Sequence, residues 1–219
     1  NMASDTMPNR GTVELSIILP FYNSARWLPS CLKQLCKQRL SSLEILAIDD
    51  GSTDGTDHIV QRYGEADPRI RYVTKDHQGS ASARNHGIDL ARGLFVTFLD
   101  SDDEYERDHL SSRRSMLLAY SMVQLLHGGV RVVGDEMVID KDDPTQKIHV
   151  NDCVVGGTFV IRRALFDKVG GFDDVPYAED TLFYERCTRR GVVIARTDHP
   201  TYIYYRDSPD TLTNTYGQT

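Results

Sequence analysis

The chain lacks any apolar run near the roughly 20 residues that span a bilayer. Its longest apolar-rich stretch, Met116 to Leu126, is broken by Ser121 and Gln124, so no membrane-crossing helix is expected. Basic charge is scarce as well: 25 Lys plus Arg stand against 32 Asp plus Glu, a net charge of −7. That balance gives no electrostatic reason to bind a nucleic-acid backbone. Cysteine is sparse, and Cys31, Cys36, Cys153 and Cys187 show neither C-x-x-C spacing nor histidines arranged beside them. A structural zinc site is therefore not expected, and the thiols read as reduced ones of a cytoplasmic protein. Internal repeats, low-complexity tracts and a G-x-x-x-x-G-K phosphate loop are missing too. The N-terminus has no apolar core of signal-peptide length, and Asn1 precedes Met2, so residues 1–12 are expected to lie outside the fold as a disordered tail or a cloning remnant.

What remains is enough to build one sizeable core: 219 residues, 40% hydrophobic and 26% charged. A single α/β domain over residues 13–219 is expected. Apolar runs at 15–19, 43–48, 70–74 and 94–99 read as strands, and amphipathic stretches at 25–38, 56–63 and from Gly79 to Gly93 read as the helices between them. Strand and helix alternating in this way predict a mostly parallel, Rossmann-like sheet with helices on both faces. Beyond residue 105 the pattern loosens. It predicts helices at 107–126, 163–168 and 180–190, apolar runs at 130–139 and 153–161, strands near 192–196 and 201–205, and a mobile loop over Asp140 to Asp152.

Three of the apolar runs end in polar clusters: Pro20-Phe21-Tyr22-Asn23, Asp49-Asp50-Gly51-Ser52 and Asp100-Ser101-Asp102-Asp103. In an open parallel sheet, ligands bind outside the carboxyl ends of the strands, so these clusters are expected to face one crevice. Five aspartates packed there would repel one another, and burial would raise the cost. Asp100 and Asp102, two apart in an extended segment, project to one side and suit a hard divalent ion, Mg²⁺ or Mn²⁺, whose shell is completed by water and substrate phosphate. The same acids could instead cap the following helix, and Asp50 and Asp54 could be ordinary turn formers. An EF-hand loop is excluded, because Gln61 stands where a bidentate Glu is required.

The segments Leu-Pro-Phe-Tyr-Asn, Asp-Asp-Gly-Ser-Thr-Asp-Gly-Thr, Ala-Arg-Asn-x-Gly and Leu-Asp-Ser-Asp-Asp, in this order, resemble those of family 2 glycosyltransferases of the GT-A fold, from about Val13 to Arg206. The resemblance implies a nucleotide-sugar-binding half at 13–105 and an acceptor-binding half at 106–219. It implies that Pro20, Phe21, Tyr22, Asn23, Asp50, Gly79, Arg84, Asp100 and Ser101 hold the nucleotide sugar, and that Asp102 with Asp100 ligates Mn²⁺ or Mg²⁺. Val155-Gly-Gly-Thr-Phe, Gly170-Gly171-Phe172-Asp173 and Ala178-Glu179-Asp180 resemble the family's acceptor-side motifs. Gly156, Gly157, Gly171 and Phe172 would then meet the acceptor, Asp180 would be the base, and Glu179 would stand beside it. Gly170 could equally be a plain helix C-cap. One departure stands out: many relatives carry a His in the segment matching Tyr204 to Pro209, where this chain offers Asp207 and Ser208.

The expectation is a metal-dependent inverting glycosyltransferase that moves a sugar from a UDP-linked donor to a glycan, a lipid-linked acceptor or another hydroxyl, in polysaccharide biosynthesis at the cell envelope. A cytoplasmic location, at the inner face of the membrane through peripheral association, goes with it. Two rivals stay open on the residues alone: a metal-dependent phosphohydrolase built on an acidic strand end, and a catalytically silent nucleotide-sugar or glycan-binding module. The end at Thr219, soon after the last motif, is expected if the chain is a fragment of a longer protein.

Overall fold

The computed structural model describes residues 13–143 and 145–207. The tail expected at 1–12 and the end of the acceptor half from Ser208 lie outside them. Strand β1 (Leu15–Phe21) leads to helix α1 (Leu28–Cys36), β2 (Leu43–Asp49) to α2 (Thr56–Ala66), and β3 (Ile70–Thr74) to α3 (Ser80–Leu90), before β4 (Phe95–Phe98). β1 pairs in parallel with both β2 and β4, and β2 with β3. Every residue of β1 and β2 is buried, which is why they read as unbroken apolar runs: a parallel strand is covered on both faces. Side chains still alternate, with Leu15, Ile17 and Leu19 packing with Leu28, Leu32 and Leu35 of α1. Ile18 belongs to the opposite core with Ala81 and Ala83 of α3. Gly87 lets α3 lie that close, since a Cβ there would meet the Ile18 side chain at 2.5 Å.

The second half contributes β5 (Glu104–Tyr105), α4 (His109–Ala119), β6 (Leu125–His127), β7 (Val130–Gly134), β8 (Met137–Ile139), β9 (Lys147–His149), β10 (Val160–Arg162), α5 (Phe166–Val169), α6 (Glu179–Arg189), β11 (Ile194–Arg196) and β12 (Tyr202–Arg206). The seven-stranded main sheet runs β11-β6-β10-β4-β1-β2-β3. Only β10 runs against its neighbours, pairing antiparallel with β4 and β6. The sheet is thus mixed and mostly parallel, with helices on both faces, as the alternation predicts. A small sheet, β5-β12-β7, and the β8-β9 hairpin stand beside it.

Three local expectations need correction, and one apolar run gains its elements. The helix expected over 107–126 ends at Ala119, because Leu125 and Leu126 are fully covered as a strand between β10 and β11; a short apolar run does not distinguish strand from helix. The run at 153–161 is a 3-10 turn at Gly156–Thr158 followed by β10. The stretch from Asp140, expected to be a mobile loop, is the turn and second strand of the β8-β9 hairpin and a 3-10 turn at Val150–Asp152. Its aspartates close the turn, with Asp140 accepting from the Asp142 N–H at 2.9 Å and Asp143 from the Thr145 N–H at 3.1 Å. Gly93 does not end α3, which stops at Leu90; it allows close backbone contact instead, since a Cβ would sit 2.6 Å from the Ser16 nitrogen.

Candidate active site

The chain leaves β1 for β2 on one side and returns for β4 on the other, so strand order reverses between β1 and β4. The carboxyl edge at such a point opens a crevice. Because β10 runs the opposite way, it is its entry, Gly156–Thr158, that reaches the same edge. One cleft there is lined by Pro20, Phe21, Tyr22, Asp50, Gly79, Arg84, Asp100, Ser101 and Asp102 from the first half. Gly156, Gly157, Glu179 and Asp180 line it from the second. The strand-end clusters and the expected base thus share a cavity.

Their environments differ. Asp49 and Asp103 are buried and satisfied from within: Asp49 accepts from the Ser52 N–H at 2.8 Å and the Tyr72 hydroxyl at 2.7 Å, and Asp103 from the Tyr202 hydroxyl at 2.6 Å and the Tyr205 N–H at 2.9 Å. The crowd of five aspartates expected to need a cation is therefore smaller. Asp50 is also well held, accepting from Lys75 Nζ at 2.7 Å and from the Gly79 N–H at 2.7 Å. Burial raises its pKa, but Lys75 and the Gln78 and Gly79 amides outweigh that and bring it below the ordinary value. Asp50 thereby folds the 75–79 turn, and His77 is placed to stack on Tyr22 with ring centres 4.0 Å apart. His77 went unnoticed in the sequence, where nothing links it to Tyr22.

Asp102 is different. Burial, then the neighbouring Asp100, pushes its pKa up to about 6, and among the described residues no Lys, Arg or His side chain pairs with it. The segment is a tight turn closed by the Asp103 N–H on the Asp100 carbonyl at 3.0 Å, not the extended strand expected, yet Asp100 and Asp102 both reach the cleft. Among the described residues no group of three or more His, Cys, Asp or Glu side chains is placed to hold an ion. The donor set nevertheless fits a hard dication that takes one or two protein carboxylates and draws its other oxygens from water and a diphosphate. A cation would relieve the two facing acids.

Arg84 joins the halves. Its guanidinium donates to Asp100 at 2.7 Å and to Glu179, and it lies 5.7 Å over the Phe172 ring. Burial lowers its pKa, but Asp100 and Glu179 prevail and hold it above its ordinary value. Asp180 opens α6 beside it and accepts from the Gly156 N–H at 2.7 Å and from the Thr181 N–H at 2.7 Å. Burial, followed by repulsion from Glu179, raises its pKa to about 6. Gly156 makes this approach possible, since a Cβ would lie 2.7 Å from that of Asp180. Non-glycine backbone at positive φ occurs, among the described residues, at Asn23 (47°), which follows the lining residue Tyr22, and at Ala178 (61°), which lines the cleft. Such strain persists where surroundings over-determine it, commonly at functional sites.

Other expected contacts fall elsewhere. Asn23 ties loops together, accepting from the Thr53 N–H at 2.8 Å, and does not line the cleft. Gly171 and Phe172, expected at the acceptor, are structural: the Phe172 backbone exchanges two hydrogen bonds with the Asn85 amide, and its ring is buried against Phe98. Gly170 is the C-cap of α5, at φ 79°. Ser101 donates to Ser24 at 2.9 Å within the lining. Asp207 is exposed and does not line the cleft, and Ser208 lies outside the described residues.

A Rossmann-like sheet with an acid-lined crevice at its switch point defines an open α/β protein of the class that binds ligands at the carboxyl edge. A sequence profile described as Glycosyl transferase family 2 matches residues 16–170, and the chain belongs to that family. It is 28% identical over 217 residues to the uncharacterized glycosyltransferase EpsJ of Bacillus subtilis (strain 168), covering 91% of this chain and 62% of that protein. To an uncharacterized glycosyltransferase of Haemophilus influenzae it is 36% identical, covering 80% of this chain and 72% of the other. To the Escherichia coli UDP-Glc:alpha-D-GlcNAc-diphosphoundecaprenol beta-1,3-glucosyltransferase WfgD it is 31% identical, covering 70% and 62%. Among solved structures, S. aureus TarS 1-349 in complex with UDP-GlcNAc shares the fold at a TM-score of 0.76 and 22% identity, covering 93% of this chain and 61% of the other. The mannosyltransferase PcManGT of Pyrobaculum calidifontis, in complex with GDP-Man and Mn²⁺, does so at 0.73 and 21%, covering 94% and 60%. The chain thus spans about three fifths of EpsJ and of the TarS structure. Among the described residues no helix is long and apolar enough to cross a membrane.

Proposed function

We propose that this chain is the catalytic domain of an inverting, metal-dependent glycosyltransferase that moves a sugar from a UDP-linked donor to a hydroxyl of a glycan or lipid-linked acceptor. Residues 13–105 hold the donor and 106–219 the acceptor. The observation that carries this reading is that Asp102, without a cation partner among the described residues, and Asp180, the cleft's other carboxyl raised to about 6, line one cavity at the sheet's switch point.

Tyr22 and His77 offer a stacked aromatic pair to a base, and the 75–79 turn, built on Asp50, presents the Gly79 backbone. Asp102 and Asp100 would hold Mn²⁺ or Mg²⁺, which supplies positive charge to the departing diphosphate. Asp180 takes the proton of the acceptor hydroxyl as that oxygen bonds to the anomeric carbon and the carbon–phosphate-oxygen bond breaks, its electron pair leaving with the diphosphate. One base acting in a single displacement inverts the anomeric centre. Ionised at neutral pH with a pKa of about 6, Asp180 is close to the optimum for a base working there. The Gly156 N–H and Arg84 orient the two acids that open α6, Asp180 and Glu179. A lipid-linked acceptor would bring the domain to the membrane's inner face.

Calorimetric titration of UDP with and without Mn²⁺ tests the donor side. Wild type binds more tightly with the ion, and Asp102→Ala binds equally with and without it. An unchanged ion dependence in the variant removes Asp102 from the metal site.

A further inference from the structure

The same cleft reaches the β8-β9 hairpin, and the walls of this arm speak to the acceptor. The β8-β9 hairpin contributes Val138 and Ile148 to this lining, and Tyr177 and Tyr204 join them. The hairpin is held over the arm by the Tyr177 hydroxyl, which donates to the Ile139 carbonyl at 3.2 Å, and by Lys141, 3.2 Å from Glu185 of α6. Tyrosine rings and aliphatic side chains match the C–H faces of a pyranose.

The charge lining is one-sided. Asp140, Asp142, Asp152 and Asp174 line the cleft, together with Glu179 and Asp180. Among the described lining residues its lysines and arginines are Lys141 and Arg84. Lys141 is engaged by Asp142 and Glu185, and Arg84 by Asp100 and Glu179. Nearby, Arg206 lies 5.7 Å over the Tyr204 ring and donates to the Met137 carbonyl at 2.9 Å. An acceptor carrying a phosphate or carboxylate in this arm would meet carboxylates while the lysine and arginine of the described lining are held by acids, a form of selection against the wrong partner.

Resting on the glycosyltransferase reading, we infer that the accepting sugar is uncharged, and that any phosphate of a carrier lies outside this arm. The specificity-determining residues are the hairpin wall, Tyr177 and Tyr204, and the acids at the rim.

The test measures binding without donor. Ligand-observed NMR titrates the whole chain with p-nitrophenyl β-glucoside, β-N-acetylglucosaminide and β-galactoside, and with p-nitrophenyl β-glucuronide and glucose 6-phosphate. At least one neutral glycoside is expected to bind about tenfold more tightly than either anion. Asp152 and Asp174 are exposed, so the double variant Asp152→Lys, Asp174→Lys is expected to fold. It should raise glucuronide affinity about tenfold and leave the Mn²⁺-dependent affinity for UDP unchanged. Equal or tighter binding of the anions, no binding of any neutral glycoside, or no response of the double variant overturns the inference. If neutral glycosides bind but UDP does not, the transferase reading falls and the uncharged-sugar arm stands.

Discussion

The acidic ends of β2 and β4 look alike in sequence and differ in structure. After β2, both acids are answered from inside the protein: Asp49 by Ser52 and Tyr72, Asp50 by Lys75 and two backbone amides. After β4, only Asp103 is closed off in this way, by Tyr202 and Tyr205. Asp100 shares Arg84 with Glu179, and Asp102 faces the cleft with its pKa raised to about 6 by burial and by Asp100. The number of acids at a strand end therefore says little about chemistry. What matters is which of them the fold leaves without a hydroxyl, an amide or a cation of its own.

That contrast can be broken most severely at Asp180. Asp180→Asn keeps the shape of the side chain but cannot take a proton, and turnover should fall by about 10²–10⁴-fold, with UDP affinity in Mn²⁺ unchanged by calorimetry. Transfer at the wild-type rate would remove it as base. The titration of the same residue gives the next effect. Because the ionised form is the active one and its pKa is about 6, kcat/KM should be level above that value and fall about tenfold per pH unit below it. A profile flat to pH about 5 contradicts the assignment.

An internally satisfied acid should behave as a structural one. Tyr202→Phe leaves Asp103 buried with one donor fewer, a cost of about 1–3 kcal/mol, read as a fall of several degrees in Tm with Mn²⁺-dependent UDP binding retained. If UDP binding collapses while Tm holds, Asp103 belongs with the site. The smallest change is expected at the edge of the cleft, where Tyr22→Ala removes half of the Tyr22–His77 stack and should weaken UDP by about three- to tenfold. An unchanged titration there separates the aromatic pair from the base.

The architecture of the first half was legible because β1, β2 and β4 are buried on both faces and its helices are amphipathic or lined with small residues. The strand-end clusters pointed correctly to one crevice. The division of labour among the acids was hidden, since the partner of Asp103 is 99 residues away at Tyr202 and that of Asp49 is 23 away at Tyr72. Such long-range pairs leave no periodic trace. Ala83-Arg84-Asn85-x-Gly87 shows the other limit: one short motif holds three unrelated tasks, with Arg84 on the acids, Asn85 on the Phe172 backbone and Gly87 against Ile18. Nor did spacing betray the β8-β9 hairpin, because its turn is built from the same Asp and Thr that suit an irregular loop.

Arg84 reaches Asp100, 16 residues away, and Glu179, 95 residues away, with one planar group. A chimera that exchanged the segment around Glu179 for that of a cousin would therefore arrive with its counterpart already spoken for by the recipient's turn. The junctions for recombining this scaffold have to keep all three residues from a single parent.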